Sequence, residues 1–164
     1  MFNNLTSLWR KRAAAVLLAI IAVSLTLGLG VGEALSAPRC RPVRGHLLDE
    51  HVEGGVSVAR MTGSLRGDYT FTFIESHPAD ATLTNLIFAT GTSVVDTRRG
   101  TLSFFETSSQ DTAEFGGVNA TVLMTVTGGT DQWAGATGHI VLTGSYNATT
   151  LTGNWEYQGE ICTP

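Results

Sequence analysis

Past residue 37 the chain contains no lysine, and only seven arginines stand against thirteen aspartates and glutamates, a net charge of −6. An acidic, lysine-free surface offers no electrostatic attraction to nucleic acid or to an anionic membrane. Cysteine is nearly absent as well: Cys40 and Cys162 are the only two. Two lone cysteines with no adjacent histidine match no metal-ligand spacing. The four histidines, His46, His51, His77 and His139, form no local ligand set. His46 and His51, five apart, are expected on opposite faces of a strand. No serine sits in a nucleophile elbow. The glycine-rich stretch "GGTDQWAGATG", Gly128 to Gly138, lacks the Lys-Ser/Thr that would contact phosphate and magnesium. The residues therefore call for no metal and no cofactor. No stretch after residue 42 carries a helical hydrophobic period.

The N-terminal residues are read as a targeting segment rather than as fold. Arg10, Lys11 and Arg12 precede an apolar run from Ala13 to Leu29, followed by the small residues Ala34, Ser36 and Ala37. That order describes a secretory signal peptide, cleaved after Ser36 or Ala37. The competing reading is a retained membrane anchor, for which the run is at the short end. A lipoprotein is disfavoured, because Arg39 stands before Cys40 where a small residue is needed. The expected organisation is a signal helix over 1–37 and one domain over 38–164. The mature protein is expected outside the cell or in its envelope, meeting the membrane only during export. There Cys40 and Cys162 are expected to form one disulfide joining the two ends of the domain.

What remains reads as strand after strand. In "DYTFTFIES", Tyr69, Phe71, Phe73 and Glu75 alternate against Thr70, Thr72 and Ile74. Leu102, Phe104 and Glu106 share one face of "TLSFFETSS". Val118, Ala120, Val122, Met124 and Val126 share one face of "VNATVLMTVTG". Ile140, Leu142, Gly144 and Tyr146 line a further strand, and Gly153, Trp155, Tyr157, Gly159 and Ile161 the last. Less regular strands cover roughly 43–51, 56–62 and 84–96. The intervening links are short, which makes neighbours antiparallel. Eight such strands predict an all-β fold, a single antiparallel eight-stranded barrel, because closure removes the edges that an open meander exposes. Gly91, Gly144, Gly153 and Gly159 lie inside strands and are read as bends at barrel corners.

The stretch "GGTDQWAGATG" followed by "HIVLTGSY" resembles the turn between two late strands of the allene oxide cyclase and dirigent barrels. Gly128, Gly129, Thr130, Trp133, Ala136 and Gly138 match that pattern, and Asp131 stands where glycine is usual. Aspartate tolerates the left-handed conformation better than most residues, so the turn is expected to survive. Trp133 is expected to cap one barrel end. The chain also resembles secreted bacterial proteins with this barrel. They share the two-cysteine frame, an early Leu65-Arg66-Gly67 before Tyr69 to Thr72, and a final Ile161-Cys162-x-Pro164. The resemblance implies a ligand-sized cavity, a homo-oligomer (relatives often trimerise) and, for some relatives, cofactor-free cyclisation. One fold hosts unrelated functions, so it implies no single reaction.

In a small barrel one face of each strand fills the lumen. The candidate lining is Tyr69, Phe71, Phe73, Phe88, Phe104, Trp155 and Tyr157, with the carboxylates Glu75 and Glu106. Glu75 closes its strand and is expected at a rim. Glu106 lies deeper. A carboxylate among aromatics has its pKa raised, which suits a general acid or base. The alternatives for Glu106 are pairing with Arg60 or Arg66, or a wet barrel mouth. Arg98-Arg99 read as a solvated hairpin tip, and Asn119-Ala-Thr and Asn147-Ala-Thr as glycosylation patterns of consequence only in a eukaryotic secretory host. Three functions follow: a barrel binding a small apolar molecule, a cofactor-free cyclase or isomerase working through Glu106, and a surface interaction protein whose lumen is only core. An open lumen of about 300 Å³ or more separates the first two from the third.

Overall fold

The computed structural model describes residues 37–53, 56–113, 117–147, 149–150 and 152–164. The signal segment lies outside the described residues. Eight strands follow one another: β1 (Arg39–Glu53), β2 (Val56–Gly63), β3 (Gly67–Pro78), β4 (Leu86–Thr97), β5 (Gly100–Asp111), β6 (Val118–Gly129), β7 (Thr137–Asn147) and β8 (Thr152–Thr163). Each pairs antiparallel with its sequence neighbour, and β1 pairs with β8 to close the barrel. The expected up-and-down barrel is therefore the fold, with strands mostly longer than the alternating patterns suggested. Among the described residues a single 3-10 turn, Asp131–Trp133, is the only helical element.

Alternation explains the wall. Threonines and serines such as Thr92, Thr107, Thr121 and Thr143 face outward, while the residues between them face in. β-branched and aromatic side chains fit both surfaces of the pleat. Cys40 and Cys162 face each other across the β1–β8 ladder and are joined by a disulfide. Such a bond belongs to a non-reducing environment. Among the described residues no helix is long and apolar enough to cross a membrane.

The lumen divides into two halves. Towards the β2–β3, β4–β5 and β6–β7 connections it is packed solid. Met61, Leu65, Val95, Leu102, Phe104, Met124 and Ile140 are all but inaccessible there. Tyr157 clasps this end: its hydroxyl accepts from Leu65 N (2.8 Å) and donates to Thr62 O (2.7 Å). Trp133, buried in the same cluster, donates from Nε1 to Thr97 Oγ1 (3.1 Å), and the Arg99 guanidinium lies 4.6 Å from its ring centre. Arg99 also donates to Gln132 Oε1 (2.6 Å), so the hairpin tip is held to the turn and not simply solvated. Asp131 takes the left-handed conformation (φ 53°), the one its position in the turn requires.

The strand glycines also mark places where other groups approach the backbone closely. A Cβ on Gly91 would strike the Phe71 ring, so this glycine makes room for a large ring inside a narrow barrel, whereas one on Gly144 or Gly159 would first strike the neighbouring strand's carbonyl, at Asn154 and His139 respectively.

Candidate functional site

Two irregularities of the ladder decide what faces the open half of the lumen. In β1 the inward residues run Val43, Gly45, Leu47; the register then shifts between Leu48 and His51. A bulge adds one residue and reverses the phase of everything after it. Glu50 and Val52 consequently turn inward. His51 turns outward with His46, so the two histidines share a face instead of lying on opposite ones. In β3 the shift falls between Phe73 and Glu75, with Ile74 the extra residue. Ser76 then faces the lumen and Glu75 and His77 face outward, against the expectation that Glu75 continues the Tyr69-Phe71-Phe73 face.

Phe88, expected in the lumen, lies outside it for a simpler reason. On β4 the inward residues are Ile87, Ala89, Gly91, Ser93 and Val95, so Phe88 points out. It is 41% exposed and packs against the His77 ring at 6.0 Å between centroids.

The remaining candidates do point inward, at two depths. Phe104 and Tyr157 belong to the packed half. Tyr69, Phe71, Phe73, Glu106 and Trp155 line a cavity of about 350 Å³ in the other half. Phe73 and Val52, at its margin, are about half exposed, so solvent reaches it.

Glu106 sits at the floor of this cavity, 4% exposed. Tyr69 donates its hydroxyl to both carboxylate oxygens, 3.0 and 3.2 Å away. Arg60 and Arg66, the cations expected as partners, lie exposed on the surface. Burial raises the Glu106 pKa to about 7; the Ser93 and Tyr69 hydroxyls pull it down, and the Glu50 charge adds to the rise. Burial lifts the Tyr69 phenol well above its ordinary value, reinforced by Glu106 and Glu50. Ser93 stands close enough to favour the charged acid but reaches no hydrogen-bonding geometry; its Oγ is a buried polar atom without a partner.

Glu50 is the functional candidate that alternation missed. Its carboxylate accepts from Ser57 Oγ (2.6 Å) and from Trp155 Nε1. Period-two reading of β1 places an even-numbered residue outside, and only the bulge brings it in. A signal did exist, a carboxylate two places after Leu48 in an irregular strand, but nothing in it marks the bulge.

The cavity thus combines an apolar wall with two carboxylates, each held by hydroxyl or indole donors. Such an arrangement can bind an apolar body, accept hydrogen bonds and exchange a proton near neutral pH. As a metal site it is poor. Among the described residues the one grouping of three ligand-type side chains is Cys40, Glu160 and Cys162, and those two sulfurs are bonded to each other. Compared with known proteins, the chain matches no family model, no curated protein and no solved structure.

Proposed function

We propose that this is an exported barrel that binds a small apolar molecule in the open half of its lumen. The observation carrying this reading is the cavity of about 350 Å³, walled by aromatic and aliphatic side chains with a few polar groups at its floor. Pockets for small molecules have this size and mixture. The half-open lumen also speaks against an interaction protein whose barrel is only core. Export is supported by the order of charged, apolar and small residues at the N-terminus and by the disulfide.

Titration with the neutral fluorophore phenylnaphthylamine tests the reading. Saturable enhancement is expected, with quenching of tryptophan emission through Trp155. Ala89→Phe, which fills the cavity from β4, should abolish it, while Leu123→Ser on the outer face should leave it intact. Equal enhancement in all three proteins would sink the proposal.

A second reading is favoured by Glu106. A buried acid with a pKa of about 7, hydrogen-bonded by a phenol and facing an apolar cavity, suits proton transfer to a folded substrate. The resemblance of the late turn to the allene oxide cyclase and dirigent barrels points the same way, towards a cofactor-free cyclase or isomerase. In that reading Glu106 exchanges the proton, Tyr69 steadies its charged form, and Phe71, Phe73 and Trp155 shape the substrate. If Glu106→Gln turned over an identified substrate as fast as the parent, this reading would be lost.

A further inference from the structure

The charge inside the cavity is all of one sign. Glu50 from β1 and Glu106 from β5 both line it, and among its described lining residues there is no arginine or histidine. The donors described for each acid are neutral: Ser57 and Trp155 for Glu50, Tyr69 for Glu106. An ionised carboxylate has about four acceptor positions, so these contacts leave acceptor capacity unused on both. The two charges also repel each other through a region from which water is partly excluded. Ser93, 2% exposed beside Glu106, adds an unpartnered hydroxyl to the same corner. Among the described residues that line the cavity, none carries a positive charge to compensate the acids.

An inorganic divalent cation is a poor match. Among the described residues no third acid, histidine or cysteine approaches these two closely enough to complete a donor set, and calcium takes six to eight oxygens while magnesium demands a near-ideal octahedron. The rest of the wall is apolar, with Phe71, Phe73, Ile87, Val122 and Leu142 around the acids. Such surroundings suit a hydrocarbon body attached to the cation.

We infer that the lumen selects a small amphiphile whose polar head is a protonated amine, held by Glu50 and Glu106, with its hydrocarbon body against Phe71, Phe73, Val122 and Leu142. This rests on the proposal that the lumen binds small apolar molecules and names the head group it prefers. A carboxylate-headed amphiphile of the same size is rejected, because like charges repel strongly in a partly desolvated site. An alcohol falls between, donating one hydrogen bond without a charge.

The test is isothermal titration of the full mature protein with octylamine, octanol and octanoate, at a pH of about 8 where most of Glu106 is ionised and the alkylamine is still protonated. Octylamine is expected to bind at least about tenfold more tightly than octanoate, with octanol between them. Glu50→Gln combined with Glu106→Gln should bring octylamine down to the octanol level. Ala89→Phe should abolish binding of the amine, which excludes attraction to the acidic outer surface. Equal affinity for the three, or a preference for octanoate, overturns the amine inference while leaving the binding reading intact. Failure of all three to bind overturns the binding reading itself. The ligand series on the parent protein decides the matter even where the double variant does not fold.

Discussion

Glu106 and Tyr69 form a buried acid–phenol pair whose energetics depend on pH. The folded state raises the acid from an ordinary 4.5 to about 7, so between those values it binds a proton that the unfolded chain has released. Stability therefore falls as pH rises from about 4.5 to about 7 and levels off above, a loss on the order of a few kcal/mol. Thermal melts across that range should show the decline in the parent and its absence in Glu106→Gln. Asp80 and Asp111 shift the other way, lowered first by Thr82 and by the Ala113 backbone respectively, so their contribution is lost only at more acid pH and does not blur the window. Tyr69→Phe removes the donor that favours the charged acid. It should move the upper end of the decline to still higher pH and cost about 1–2 kcal/mol, read from urea unfolding.

At the scale of elements, the bulges in β1 and β3 govern the site, because a one-residue shift exchanges the faces of everything beyond it. Deleting Ile74 should remove the bulge in β3 and keep the faces beyond it, with Phe73 and Ser76 inward and Glu75 outward, because Ile74 is the one extra residue. The expected result is a folded barrel with phenylnaphthylamine binding close to the parent's; a lost signal would show that the bulge shapes the cavity by more than the faces it sets. The β6–β7 turn acts at the other end. Trp133 joins the closed-end core and is tied to Thr97 and Arg99. Trp133→Ala should destabilise by about 3–5 kcal/mol in chemical unfolding, the usual cost of emptying a large buried ring. The loss should leave probe binding intact, since the cavity lies in the opposite half.

For the whole molecule, the disulfide links positions 122 residues apart at the closed end of the β1–β8 seam. By chain entropy, closing so long a loop stabilises by up to about 4–5 kcal/mol. Reduction, or Cys40→Ser with Cys162→Ser, should lower the urea midpoint by a corresponding amount. The barrel should still close, since β1 and β8 remain paired along most of their length. Packing one end and leaving the other open divides the work: the closed half carries the core, and the open half is free to be polar.

How much of this was legible follows from the same division. Alternation of Thr, Val and aromatics, short links and paired cysteines near the ends of the domain determined an antiparallel barrel and the disulfide, because both are consequences of local period and of compartment. Alternation also placed Tyr69, Phe71, Phe73, Glu106 and Trp155 on inward faces, since each stands in a strand or part of a strand free of bulges. It failed at Glu75 and at Glu50, which lie just beyond a bulge, and at Phe88, whose strand has too irregular a pattern to show its phase. A bulge is set by how two strands pair, which no single strand's pattern records. The division of the lumen into a filled and an open half is likewise a property of eight inward faces meeting. The two acids lie 56 positions apart in the chain, and only closure of the barrel brings them to one cavity.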